Sequence, residues 1–306
     1  MLGSSPSMTR NAAAAERIPS LPRLAMTRLA HRSNLRRPIR AQPAESLMPR
    51  FAANLSMMFT EWEFLDRFKA AAEAGFEAVE FLFPYEHTPE QVGLALAGGE
   101  LTQALYNLPP GDFAKGERGI AALAGREDEF RASVDTALSY VHETGVKRLH
   151  MMAGLADPND PVAQKTYRAS LAYAADKLGE QGIDLLLEPI NGKDMPGYFL
   201  NDFDQAAAYV RESGRPNVRL QFDMYHCELI HGDVSAKLKA LYPLVSHVQI
   251  ARANGRHEPD ASGPDYPTLF NELDGLGYDG FVGCEYRPEA GTLEGLGWFA
   301  PWRKPL

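Results

Sequence analysis

The chain is poor in cysteine. Only Cys227 and Cys284 occur in 306 residues, too few for a disulfide framework, and no CxxC pair offers a zinc site. Both lie in apolar, strand-like runs, where plain buried thiols in a reducing compartment are expected. No run of 18 or more apolar residues exists, so no helical membrane span is expected. Cationic excess is lacking too. The formal charge is −9, and nucleic acid is not an expected partner, because phosphate binding needs a positive surface. No GxGxxG follows the first apolar run, which argues against a dinucleotide-binding open sheet and gives no sign of an organic cofactor.

What charge there is lies unevenly. Residues 1–47 hold eight Arg, no Lys and only Glu16 and Glu45, a net of about +6 that leaves about −15 for the rest. This stretch is rich in Ala, Ser and Pro and has no sustained apolar period. It cannot bury enough surface to offset its ordering entropy, and a disordered leader is expected. Its composition suits an organellar transit peptide. An upstream start preceding a cytoplasmic chain that folds from Met48 to Leu306 is the preferred account.

From Phe51 onward the pattern repeats. Apolar runs of five to nine residues alternate with segments whose apolar residues recur at three- and four-residue spacing. The runs are FAANLSMMF, AVEFLF, LTQALYNL, RLHMMAG, IDLLLEPI, VRLQFDMYH, VSHVQIA and GFVGCEY. The clearest helical segments, EFLDRFKAAAEAG and EDEFRASVDTALSYVHETG, stop at Gly75 and Gly145, as helices commonly do. Eight such pairs predict parallel strands joined by helical crossovers. About 250 residues suffice for a (β/α)₈ TIM barrel, so residues 48–306 are read as a single barrel of the α/β class.

The last four runs share a feature. Each carries an oxygen-bearing side chain near its C-terminal end: Glu188 in LLLEPI, Asp223 in LQFDMYH, Gln249 in HVQIA and Glu285 in VGCEYRP. In a (β/α)₈ barrel those ends converge on one mouth. Taken singly, each is as readily a strand-end cap or a surface ion pair. Together they aim three carboxylates and an amide into one space, where mutual repulsion demands a cation or a proton. A hard divalent ion, Mg²⁺ or Mn²⁺, suits oxygen donors. His226, three residues past Asp223, and Glu80 in VEFLF are candidates for the same cavity. Two long loops add more: NGRHEP brings Arg256, His257 and Glu258, and YNLPPGDFAKGERG brings Asn107, Glu117 and Arg118. His87, His142 and His231 have no spacing partner and are read as surface or packing residues.

The stretches NLPPGDFAKGERGI, LLLEPIN, FDMYH, HVQIA, GRHEP and GYDGFVGCEYRP, in this order, resemble the hydroxypyruvate isomerase family of xylose-isomerase-like barrels. The resemblance implies interconversion of an α-hydroxy aldehyde and an α-hydroxy ketone, usually hydroxypyruvate and tartronate semialdehyde. A related activity, 2-oxo-tetronate isomerase, shares nearly all the motifs. The resemblance implies Glu188 and Glu285 as an acid/base pair. The same two residues, with Asp223 and Gln249, would be ligands of a divalent metal. It further implies His226 and Arg256 as substrate-binding, with Arg256 suited to a substrate carboxylate, while Asn107 and Glu80 are expected alongside. A small hydroxy-oxo acid is the expected partner, and a homo-oligomer stays open. The family usually starts near Met48. Departures stand at Tyr106, at Arg252 with Ala253, and in SGPDY, all expected in mouth loops.

Overall fold

A computed structural model describes residues 49–260 and 263–303. The expected leader, 1–47, and Met48 lie outside the described residues. Eight strands run β1 (Arg50–Asn54), β2 (Ala78–Glu80), β3 (Thr102–Asn107), β4 (Arg148–His150), β5 (Asp184–Leu187), β6 (Val218–Asp223), β7 (Val245–Ile250) and β8 (Phe281–Cys284). All pair in parallel in sequence order, and β8 closes on β1. The expected (β/α)₈ barrel is therefore the observed one.

The helices around it are α1 (Phe64–Glu73), α2 (Pro89–Gly98), α3 (Glu127–Thr144), α4 (Pro161–Gly179), α5 (Phe203–Ser213), α6 (Met224–His231), α7 (Val234–Leu241) and α8 (Tyr266–Leu276). Their ends follow local chemistry. Thr88 and Gln91 form a reciprocal capping box at α2, with Pro89 in the first turn, where a missing N–H costs nothing. Gly145 ends α3 at φ 64°, a left-handed conformation that glycine adopts without a Cβ clash. Among the described residues no helix is long and apolar enough to cross a membrane.

Alternation along the strands sorts side chains into two layers. Ala53, Val79, Leu149, Leu185, Leu187, Phe222, Val248 and Val282 join the large core between sheet and helices. Ala52, Ala78, Ala104 and Phe281 form a separate small cluster inside the barrel. Cys227 and Cys284 are free and buried, as expected.

Several strands are shorter than the apolar runs suggested. FDMYH does not continue β6, because Asp223 accepts a hydrogen bond from Tyr225 N at 2.8 Å and caps α6. His226 consequently sits on the first turn of a helix rather than on a strand.

Candidate active site

Glu188 follows β5 directly, Asp223 ends β6, and Glu285 follows β8. All three lie at the C-terminal mouth and are at most 5 % exposed. Glu188, Glu285, His226, Arg256 and Asn107 line one cavity of about 560 Å³, joined by His150. Asp223 lies immediately beneath, its Oδ2 3.6 Å from His226 Nε2. Glu188, Asp223 and His226 each offer a ligand atom, and these atoms lie within 4.8 Å of one another.

Crowding and burial dictate the protonation of this group. Burial, with Glu285 and Asp223 nearby, pushes Glu188 well above the usual carboxyl range. Glu285 is pushed up by burial to about 8, with Arg256 opposing. Asp223 rises through burial to about 6, again against Arg256. Glu188 Oε1 and Glu285 Oε2 are buried without a hydrogen-bond partner, although Arg256 Nη2 is 3.2 Å from the latter as an ion pair. Buried, partnerless carboxylate oxygens carry a large desolvation cost, and a hard cation would relieve it. The donor set therefore fits a divalent metal held by Glu188, Asp223 and Glu285.

His226 is held neutral, its basicity lowered well below the usual value by burial and then by Arg256 and His150. Its Nδ1 accepts from Asn191 N at 3.3 Å, which assigns the proton to Nε2, the nitrogen facing Glu188 and Asp223. Burial alone drops His150 to about 3. Its Nδ1 lies 3.2 Å from Asn107 Oδ1 and 3.5 Å from Glu188 Oε2.

Arg256 sits at φ 54°, next to Gly255 at φ 83°. A non-glycine residue in that region stores backbone strain of about 1–3 kcal/mol. The turn is locked by Arg256 N–H to Arg252 O and Arg287 N–H to Arg256 O. The guanidinium lies 3.2 Å from Glu285, 3.5 Å from Asp223 and 3.7 Å from Asp194. Its charge is thus engaged by protein carboxylates, which corrects the expectation that it is the free cation for a substrate carboxylate.

Glu80 and Gln249 sit deeper than expected. Glu80 is fully buried and does not line the cavity. It lies 2.6 Å from His247 Nε2 and accepts from Gln249 Nε2 at 2.8 Å and Asn54 Nδ2 at 3.0 Å. Period-two alternation carries it inward, where only Gly283, lacking a side chain, leaves room for its carboxylate. Gln249 Oε1 accepts from Gln221 Nε2 at 2.6 Å and keeps one lone pair that could reach a cation. Glu80 and Gln249 form a supporting layer beneath the mouth.

Three other residues went unnoticed in the sequence: His150, Asn191 and Asp194. His150 ends β4 as the acids end later strands, a signal hidden because RLHMMAG reads as one longer strand. Asp194 accepts from Tyr225 Oη at 2.7 Å, a contact made only across the fold. Of the departures, Tyr106 is not at the mouth. It is fully buried, stacked on Phe81, and its hydroxyl donates to Ala137 O of α3. Arg252 pairs with Asp260 and with Glu289 at the surface. His231 lies 3.5 Å from Asp202 and against Phe203, a packing role as expected.

A closed (β/α)₈ barrel with buried carboxylates and neutral histidines converging on one strand-end cavity defines a barrel enzyme with a metal-competent floor. More narrowly, the chain belongs to the xylose isomerase-like TIM barrel family, whose model matches residues 68–302. It is 54 % identical over 257 residues to the 2-oxo-tetronate isomerase of Cupriavidus necator, a match covering 83 % of this chain and 99 % of that one. It is 40 % identical over 258 residues to the hydroxypyruvate isomerase of Escherichia coli, covering 84 % and 100 %. A solved structure named AP endonuclease, family 2 from Brucella melitensis superposes with a TM-score of 0.82 at 48 % identity, covering 84 % of this chain and all of that one. The 3-keto-D-glucoside 4-epimerase of E. coli shares the fold, with a TM-score of 0.66 at 20 % identity over 83 % of this chain and 99 % of that one.

Proposed function

We propose that the protein is an aldose–ketose type isomerase of a small hydroxy-oxo acid, with Glu188 and Glu285 moving the proton. The observation that carries this is the pair of buried glutamates in one cavity, each with an oxygen free of hydrogen bonds. The names of the relatives support it. The relative at 54 % identity has a four-carbon substrate and the one at 40 % a three-carbon one, which favours 2-oxo-tetronate over hydroxypyruvate with tartronate semialdehyde.

Glu188, Asp223 and Glu285, with the amide oxygen of Gln249, would hold Mg²⁺ or Mn²⁺. Such a cation supplies Lewis-acid stabilisation of the charge that develops on adjacent substrate oxygens. The protein supplies the rest. One glutamate, ionised, takes the proton from the hydroxyl-bearing carbon, and the pair delivers a proton to the neighbouring carbon. A base raised toward neutrality is suited to this, since proton transfer is most effective when pKa and working pH are close. His226 Nε2–H, oriented by Asn191, donates to a substrate oxygen, and Asn107 holds the opposite wall with His150. Arg256 keeps Glu285 and Asp223 partly ionised despite burial.

An endonuclease reading, suggested by the name of the Brucella structure, would need a cationic groove for phosphate. Three carboxylates at the cavity floor and a net charge of −9 favour the isomerase. The test is Glu285→Gln assayed with hydroxypyruvate and 2-oxo-tetronate in deuterated water. Wild-type product is expected to carry solvent deuterium. The variant is expected to lose at least ~10²-fold in kcat while binding substrate nearly as well. Retention of most of the activity ends the assignment.

A further inference from the structure

The cavity is electrically polarised. Its floor is anionic, while Arg118, Lys193 and Arg287 line its upper part. None of these three has a carboxylate partner among the described residues' ion pairs, and Arg256 is already engaged below. The loop after β3 is arranged to keep Arg118 free in this sense. Its neighbour Glu117 is drawn away by both guanidinium nitrogens of Arg126 and by Asp112 N–H at 2.5 Å. Arg118 Nη1 donates to Phe113 O at 3.1 Å and Glu117 O at 2.7 Å, and the guanidinium lies 4.0 Å over the Phe113 ring. These contacts fix its position without neutralising it, and Phe113 itself faces the cavity.

We propose that Arg118 is a specificity-determining residue that binds the carboxylate of the substrate, with Lys193 and Arg287 reinforcing the field at the cavity's upper wall. This rests on the isomerase reading for the reacting end and assigns the other end. A hydroxy-oxo acid then enters in one orientation, its carboxylate repelled by Glu188, Asp223 and Glu285 and drawn to the cationic wall. The planar guanidinium has remaining N–H donors that match a carboxylate's two oxygens. A neutral sugar of the same length gains nothing from this contact.

The experiment compares wild type, Arg118→Gln and Arg118→Lys in Mg²⁺. It reads KM and kcat for hydroxypyruvate and 2-oxo-tetronate, and calorimetric binding of glycerate against neutral glyceraldehyde. Losing a charge-assisted contact is expected to raise KM and the glycerate Kd by ~10–100-fold in Arg118→Gln. The change in kcat is expected to be much smaller, glyceraldehyde binding to be unaltered, and Arg118→Lys to recover part of the loss. Equal weakening of acid and neutral ligands, or no weakening, overturns the proposal while leaving the isomerase reading intact. Glycerate binding that depends on Arg118 in a protein that isomerises neither acid supports the carboxylate site and sinks the reaction assignment. Wild-type binding of glyceraldehyde but not glycerate overturns it outright.

Discussion

Raising the pH from 6.5 to 8 in the presence of a chelator is expected to destabilise the protein by about 1.5–2 kcal/mol through Glu285 alone. Burial lifts this carboxyl to about 8, against 4.5 for the exposed group. A raised folded-state value means that the fold favours the protonated form. Its contribution is full below 4.5 and is lost as the pH climbs through 8. Each pH unit inside that interval removes up to about 1.36 kcal/mol. Glu188, also raised, acts in the same direction, and Asp223, at about 6, has largely titrated before the window opens. The histidines act oppositely but elsewhere. His150 and His226 are depressed from 6.5, so their contribution is present above 6.5 and is lost as the pH falls below it. Above 6.5 these buried acids dominate the site's pH dependence. For a barrel of this size the change corresponds to roughly 3–8 °C in Tm. Denaturant titrations in EDTA at several pH values measure it, with Glu285→Gln as the reference of shallower slope. Adding Mg²⁺ at ~100 times its Kd should restore about 2.7 kcal/mol, more readily at pH 8, where fewer protons compete. Stability that is flat or rises between pH 6.5 and 8 in EDTA refutes the reasoning.

Two further outcomes probe the layer under the mouth. A Cβ on Gly283 would stand 2.3–2.5 Å from the Glu80 carboxylate, so Gly283→Ala is expected to cost about 1–3 kcal/mol; an unchanged denaturation midpoint would contradict it. Glu80→Gln turns an acceptor toward three donors into an amide and strands one of Asn54, His247 or Gln249. A loss of about 1–3 kcal/mol should accompany a ~10–100-fold fall in Mn²⁺ affinity, through Gln249, read by electron paramagnetic resonance. Normal Mn²⁺ affinity would show that Glu80 does not position the metal site.

The barrel was legible because its signals are local and repeated. Runs such as IDLLLEPI and the Gly145 stop after α3 each follow from backbone chemistry within a few residues. The acids at 188, 223 and 285 were legible for the same reason: position at a strand end is read along the chain, and eight-fold closure then implies convergence. Depth was not legible. Glu80 looked like a cavity residue, yet alternation and the space left by Gly283 turn it into the barrel interior. Tyr106, one residue before Asn107, points the opposite way and packs on α3. His226 looked like a strand end until Asp223 capped a helix beneath it.

The chain's order of apolar runs, turn residues and strand-end carboxylates thus determined the architecture and the acidic mouth, since both depend on period and proximity along one backbone. Only tertiary structure decided which cation answers which anion. Arg256 is engaged by Glu285, Asp223 and Asp194, Arg126 takes Glu117, and Arg118 is left facing the cavity. Coulomb interaction falls with distance through space and with local burial, and neither quantity is written in residue spacing.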